Sequence, residues 1–328
     1  MRLAQLGHGY WGRNLLRVFS RVKGAQLILC CDSQPEAREA AQAAVPGLEV
    51  CERPEQVFER DDIDGVIIAT PARDHFGQTG AALRAGKHVL VEKPLALTGD
   101  EAEELVDLAD SSGLTLMVGH TFLYNDAVRW VRDFIDRGEL GEIYYAYFQR
   151  LNLGRVRQDV NALWNLAPHD ISIAQYWFSE IPSDVRGHGV SFIQPGIDDV
   201  SFVNLFYPSG RFAHIHVSWL DPSKTRRAVV VGSKKMVLYD DTSPDAKIVV
   251  YDKGIDRRHP PDAEQFDSFA QFQLLHRAGD VWIPRIGFRE PLQVEAQHFV
   301  DCVTRGERPL TDGKSGLDVV RILTAAQG

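Results

Sequence analysis

Glu92-Lys93-Pro94 closes an apolar run, His88-Val89-Leu90-Val91, that reads as a buried strand. An ammonium is strongly hydrated and resists burial. A lysine held in a cleft has its pKa lowered and can trade a proton near neutral pH. Pro94 removes a backbone donor and fixes φ, so the strand stops and the chain turns. Glu92 either holds the lysine through a charge-assisted hydrogen bond or stands beside it in solvent. A solvated lysine at a strand end is the competing reading.

A second candidate is Trp164-Asn165-Leu166-Ala167-Pro168-His169-Asp170-Ile171-Ser172. Pro168 reads as the first turn of a helix running to about Phe178, with His169 and Asp170 in that turn. The helix dipole there favours the neutral imidazole, which can take a proton from a hydroxyl. A histidine that only caps or packs fits the same residues.

The third is Gly7-His8-Gly9-Tyr10-Trp11-Gly12, which follows the short apolar strand Arg2 to Leu6. A helical pattern comes next, with Leu15, Leu16, Val18, Phe19 and Val22 on one face. Ala25 to Asp32 is then a second strand ending in an acid. Gly-x-Gly-x-x-Gly between strand and helix is the dinucleotide-binding arrangement. Gly7 permits the tight turn, Gly9 lets backbone approach a pyrophosphate, and Gly12 lets helix and strand pack. The helix N-terminus offers N–H groups to the phosphates. Asp32, 20 positions after Gly12, is placed for the adenosine ribose hydroxyls and would repel a 2′-phosphate. Ser33 and Gln34 add no cation, so NAD is expected over NADP, although Arg38 could swing to grip a phosphate. The alternative is a glycine turn with no ligand.

These residues need a scaffold. After a helix over Glu36 to Ala44, Gly65 to Ala69 is a continuous apolar strand ending at Thr70-Pro71, with His75 just beyond. Gln78 to Ala85 reads as a helix, His88 to Val91 as a strand, Glu101 to Ser111 as a helix and Thr115 to Val118 as a strand. Apolar strands alternating with helices predict a doubly wound parallel sheet covered on both faces. Ligands bind at the carboxyl ends of such strands, so Glu92-Lys93-Pro94 points toward the cofactor.

The glycine motif, Ala69-Thr70-Pro71 with His75, and Gly86 to Pro94, in that order, resemble the glucose–fructose oxidoreductase / inositol dehydrogenase (Gfo/Idh/MocA) family. The resemblance runs over nearly the whole chain. It implies that Lys93 assists hydride transfer at a sugar carbon. In that family a histidine is preceded four positions earlier by Asp and followed by a further Asp. This chain has His169 and Asp170, but Asn165 at the earlier position. Asn occurs there in the branch resembling nucleotide-sugar 3-dehydrogenases. Asn165 can hydrogen-bond a hydroxyl and cannot act as a base, which leaves Lys93 and His169 as proton carriers.

A domain boundary is expected near residue 120: a Rossmann domain over 1–120, and over 121–328 an α+β domain for substrate binding and oligomerisation. Asp126 to Arg137 reads as an amphipathic helix and Glu142 to Leu151 as an alternating strand. Strands follow at 184–192, 200–207, 211–220, 228–231, 236–239 and 248–251, with a hairpin at Pro208-Ser209-Gly210. Short connections predict a large, mostly antiparallel sheet with one open face. Residues 252–264 read as a mobile loop, and Leu292 to Arg305 and Ser315 to Ala326 as closing helices. Asn152 to Asp159 carries Arg155 and Arg157, which can meet a diphosphate or can lie in a solvated loop or an intersubunit salt bridge. His120 and Tyr124 follow the last Rossmann strand as candidate substrate contacts. His214 and His216 share a strand face with no third ligand at a telling spacing, so no metal is expected. Trp177, Trp219 and Trp282 read as core or interface.

With 328 residues, two domains are the natural expectation. A net charge of −9 disfavours nucleic acid or an anionic membrane as partner. Four cysteines, at 30, 31, 51 and 302, fit neither a zinc ribbon nor a disulfide framework and suggest a reducing compartment. Met1 leads directly into a strand, and no apolar stretch approaches the roughly 18 residues of a membrane span. A cytoplasmic setting is expected, with homodimers or homotetramers formed through the open sheet. The expected activity is NAD-dependent hydride transfer at a secondary alcohol of a sugar, with C3 of a nucleotide-activated sugar preferred over a free sugar or inositol. A catalytically silent cofactor-binding regulator is the alternative of another class. Redox-neutral glycoside cleavage through a ketone is a third.

Overall fold

The structure is a computed structural model, and it describes residues 1–154, 156–158, 160–255 and 276–328. Tertiary contacts divide it into two units: Met1–Asn125 with Arg289–Thr324, and Asp126–Phe288 with Ala325–Gly328. The boundary expected near 120 thus lies at Asn125, and the chain after Phe288 returns to the first unit. The reason is apolar burial. Leu292, Ala296, Phe299 and Val300 share a core cluster with Leu3, Leu15, Leu16 and Phe19. Phe19 and Phe299 meet edge to face, with ring centroids 6.4 Å apart.

The first unit is built on a six-stranded parallel sheet. Its strands are β1 (Arg2–Leu6), β2 (Gln26–Cys31), β3 (Glu49–Cys51), β4 (Gly65–Ile68), β5 (His88–Glu92) and β6 (Leu116–Gly119), in the order β3-β2-β1-β4-β5-β6. Val66, Ile67, Ile68, Val89, Leu90 and Val91 are fully buried, as strands covered on both faces must be. The strand order reverses between β1 and β4, which is where such sheets bind ligands. Helix α1 (Gly12–Phe19) follows β1, α2 (Pro35–Ala44) follows β2, and the short α3 (Glu55–Phe58) follows β3. Helix α4 (Ala72–Arg84) starts six residues ahead of the expected Gln78, because Pro71 sits at its N-cap with no φ/ψ conflict. His75 therefore lies in its first turn rather than in a loop.

The second unit carries an eight-stranded sheet with β7 (Ile143–Leu151) near its middle. β7 pairs in parallel with β10 (Phe212–Ser218) and antiparallel with β11 (Thr225–Gly232). The other strands are β8 (Asp184–Val190), β9 (Val200–Phe206), β12 (Met236–Asp240), β13 (Ile248–Ile255) and β14 (His276–Trp282). Every pairing other than β7 with β10 is antiparallel. Residues 252–255, expected in a loop, extend β13; the rest of that stretch, 256–264, lies outside the described residues. β14 was not foreseen from the sequence. One sheet face is buried through Ala146, Phe148, Val203, Leu205, Ala213 and Ile215. The alternate positions, including Tyr147, Phe202, His214 and His216, are half-exposed. His214 Nδ1 meets Asn204 Oδ1 at 2.8 Å, and His216 stacks on Phe202 at 4.4 Å.

After α5 (Gly99–Ser112) and α6 (Asp126–Asp136), helix α7 (Ala162–Phe178) corrects an expectation. It begins six residues before Pro168, with Asn161 capping it by accepting from the Trp164 N–H at 3.0 Å. Pro168 stands inside the helix, so His169 is two turns from the N-terminus and outside the reach of the dipole. Among the described residues, no helix is long and apolar enough to cross a membrane. No group of three His, Cys, Asp or Glu side chains among them gathers as metal ligands.

Candidate active site

The glycine turn is fixed by backbone contacts. Gly7 adopts φ +87°, and a Cβ there would stand 2.7 Å from the Ala69 carbonyl oxygen at the end of β4. A Cβ on Gly12 would stand 2.3 Å from the Gly7 oxygen. Only glycine fits both positions. Gln5, a polar residue buried in β1, donates its amide to the carbonyls of Gly7 at 2.8 Å and Gly12 at 3.0 Å. Sequence reading passed over Gln5; an amide inside an apolar strand just before a glycine turn is the signal for it.

The turn leaves a cradle. At Gly9 a Cβ would meet nothing within 4 Å. Tyr10 is 88 % exposed beside it. His8 is buried, and its Nδ1 has no partner among the described residues. Burial pushes the His8 imidazole pKa down, helped by the Arg13 charge and opposed by Asp32. Asp32 accepts from the His8 N–H at 2.7 Å and from the Gln34 N–H at 2.9 Å, which pins its carboxylate at the end of β2. Arg38 donates to the carbonyls of Asp32 at 2.7 Å and Ser33 at 3.0 Å. An open backbone cradle, an orphaned ring nitrogen and a pinned acid fit a dinucleotide whose ribose meets Asp32.

β5 delivers the second group. Glu92 is buried and accepts from the indole N–H of Trp11, tying the strand end to the glycine turn. Burial raises its pKa to about 7, against the lowering effects of the Trp11 bond and the Lys93 charge. Lys93 is half-buried, and the Lys93–Pro94 peptide is cis. His75 is 1 % exposed, and both ring nitrogens are used: Nδ1 meets the Pro94 carbonyl at 2.7 Å and Nε2 the Thr70 carbonyl at 3.0 Å. It brackets the loops after β4 and β5. Thr70 donates its hydroxyl to Gln78 at 2.7 Å.

His120, just after β6, is 2 % exposed, and neither ring nitrogen has a partner among the described residues. Burial, and then the Lys93 charge, lowers its pKa to about 3. A neutral imidazole under the field of Lys93 thus keeps one donor and one acceptor in reserve. Tyr124 departs from its expected place. It is fully buried in the 3-10 turn Thr121–Tyr124, with its hydroxyl 3.0 Å from Thr311 Oγ1 and its ring against His298. Burying the aromatic ring is favourable, and the hydroxyl finds its polar partner inside the fold.

In the second unit, Asn165 and His169 lie four residues apart on α7, both half-buried and on one helix face. Asp170 is committed elsewhere: Arg150 holds it by two hydrogen bonds of 2.8 Å, with both side chains buried. The carbonyl of Arg157 accepts from Gln194 at 2.9 Å, and Arg155 lies outside the described residues.

Residues 1–120 match the model of an oxidoreductase family with an NAD-binding Rossmann fold, and residues 128–238 match the GFO/IDH/MocA C-terminal domain. The scyllo-inositol 2-dehydrogenase (NAD(+)) of Bacillus subtilis is 28 % identical over 322 residues, 94 % of this chain and 86 % of that protein. An uncharacterized oxidoreductase of Streptococcus pneumoniae is 27 % identical over 222 residues, 63 % of this chain, and the match spans 60 % of its length. Among solved structures, a UDP-N-acetylglucosamine 3-dehydrogenase from Acidithiobacillus ferrooxidans has the same fold, with a TM-score of 0.83 at 21 % identity, covering 99 % of this chain and 95 % of that one. Two family models that agree in order, over a parallel NAD-binding sheet and a mostly antiparallel one, establish that the chain belongs to the Gfo/Idh/MocA oxidoreductase family.

Proposed function

We propose that this protein catalyses reversible hydride transfer between NAD(H) and a secondary alcohol of a cyclic sugar, and that its substrate is a nucleotide-activated sugar reacting at C3. The observation that carries the reading is Lys93, set at the carboxyl end of buried β5 beside the Glu92 carboxyl, with His120 kept neutral by burial and then by the lysine's charge. When bound, the cofactor supplies the hydride acceptor or donor. Gly7 to Gly12, Asp32, Ser33 and the Thr70-Pro71 turn hold it, with Arg38 and His75 fixing the loops. Lys93 stabilises the reacting oxygen or takes its proton, so that alkoxide charge does not build up. His169 is the partner acid/base. Asn165 orients a neighbouring hydroxyl, because an amide hydrogen-bonds without exchanging the proton. His120 offers a neutral ring nitrogen to a further hydroxyl. Arg157 is assigned to the diphosphate.

The similarity to the B. subtilis scyllo-inositol dehydrogenase supports a second reading, an inositol or free sugar as substrate. A panel of nucleotide sugars, free sugars and inositols with NAD and NADP, followed at the nicotinamide absorbance, decides between them. Turnover of nucleotide hexoses with NAD is expected. Turnover confined to inositols overturns the nucleotide-sugar reading, and tight NAD binding without turnover of any member makes the protein a cofactor-binding regulator. We also assign the half-exposed sheet face of Tyr147, Phe202, His214 and His216 to self-association, as a dimer or tetramer. Sedimentation of a monomer at micromolar concentration would exclude it.

A further inference from the structure

Helix Pro291–Arg305 turns Leu292, Glu295, Ala296 and Phe299 inward. Three of these are apolar, and Glu295 is 1 % exposed. Its Oε2 accepts from Thr121 Oγ1 at 2.8 Å, and its Oε1 has no partner among the described residues. No lysine or arginine among them makes an ion pair with it. Glu92 is the neighbouring acid, close enough for its charge to act on Glu295. The segment between them is short. Gly119 pairs with Glu92 across β5 and β6, and a Cβ on Gly119 would stand 2.9 Å from Glu92 Oε2. Thr121, the partner of Glu295, comes two residues later. Glu92 has the Trp11 indole and, at 3.3 Å, the Lys93 backbone N–H. Two carboxylates here would leave one full charge with a single hydroxyl donor in an apolar interior, which costs far more than protonation.

We propose that Glu92 and Glu295 form a buried acid pair that retains a proton on Glu295 at neutral pH, so that Glu295 is a positioning residue limiting the charge beside Lys93 to that of Glu92 alone. Burial and the Glu92 charge both raise the Glu295 pKa well above the usual carboxylate range, and the Thr121 bond opposes them. Lys93 is the cation facing the pair, through Glu92, and His120 under the same lysine is neutral. The protonated Glu295 leaves Glu92 free to keep its bond to Trp11, so the glycine turn and the lysine stay joined. The functional consequence rests on Lys93 being the proton-handling group; the retained proton does not.

The test uses the full chain and needs no substrate, so its failure is separate from failure of the dehydrogenase reading. Urea unfolding of wild type and Glu295→Gln is measured from about pH 5 to about pH 8, where each proton held by the native state and released on unfolding raises the unfolding constant tenfold per pH unit. The proton on Glu295 is held by the native state and released by the unfolded chain in this window, so it weakens the protein as pH rises. Buried histidines such as His75 and His120, neutral when folded, act in the opposite sense. The difference in slope between the two proteins isolates Glu295. Glu295→Gln is expected to lose about one unit of that logarithmic slope. Coincident slopes would overturn the proposal. Should Glu295→Gln fail to fold, infrared spectra of wild type labelled with carboxyl-13C glutamate supply the answer. A protonated-carboxyl band surviving at about pH 8 is expected, well above the ordinary glutamate pKa, and its absence would overturn the retained proton. Glu295→Ala should match Glu295→Gln in slope while losing more stability, since only the amide keeps an acceptor for Thr121.

Discussion

The two units bury charged groups in opposite ways. In the second, Arg150 and Asp170 form a closed bidentate pair, each answering the other. In the first, Glu92, Glu295 and His120 are buried with fewer partners than they can use. A closed pair fixes a structure and leaves no acceptor to spare for a ligand. Groups kept short of partners can change protonation or accept a ligand, at a cost in stability. The contrast separates a scaffold charge from a working one.

The largest expected effect sharpens that contrast. Lys93→Met should lower kcat by roughly 10²- to 10⁴-fold, the range for a lost acid/base group. NADH affinity, read by fluorescence titration, should change only a few-fold. An equal loss of both would make Lys93 a binding group and erase the distinction. Arg150→Ala attacks the other side. Leaving Asp170 buried and unpaired should cost about 3–5 kcal/mol in urea unfolding. The double variant Arg150→Met/Asp170→Leu should recover most of it, whereas no recovery would mean the pair does more than fill space. Asp32→Ser should weaken NAD about tenfold, the worth of roughly one charge-assisted hydrogen bond, and shift preference toward NADP in a competition assay. Unchanged selectivity would move the discrimination to Arg38. Tyr124→Phe should be smallest, about 1 kcal/mol of stability for the Thr311 bond, with KM unaltered. A raised KM would return Tyr124 to the substrate site.

Much of the first unit was legible because its signals are local. The glycine spacing, the acid after β2 and the apolar runs of β4 and β5 each follow from nearest neighbours in sequence. The acid pair was not, since Glu295 sits 203 positions from Glu92. Its only trace is a glutamate at the inward spacing of Leu292, Ala296 and Phe299, where an amphipathic helix should carry an apolar residue. Arg150 left the same kind of trace, a charge continuing the buried alternation Ala146, Phe148. His169 was misplaced for a different reason. Pro168 looks like a helix start, and only the Asn161 cap, seven residues earlier, shows that the helix is already under way.

The return of Arg289–Thr324 to the first unit bears on how the molecule is made. A nascent chain that has emerged only as far as Phe288 holds all six parallel strands, yet Leu3, Leu15, Leu16 and Phe19 lack the Leu292, Ala296, Phe299 and Val300 side chains that share their core. The cofactor half, although synthesised before most of the second unit, cannot complete its core until residues 126–288 have been made. Its exposed apolar seam is open to chaperones throughout synthesis of the second unit, and chains cut short before residue 289 are the ones that quality control should recognise.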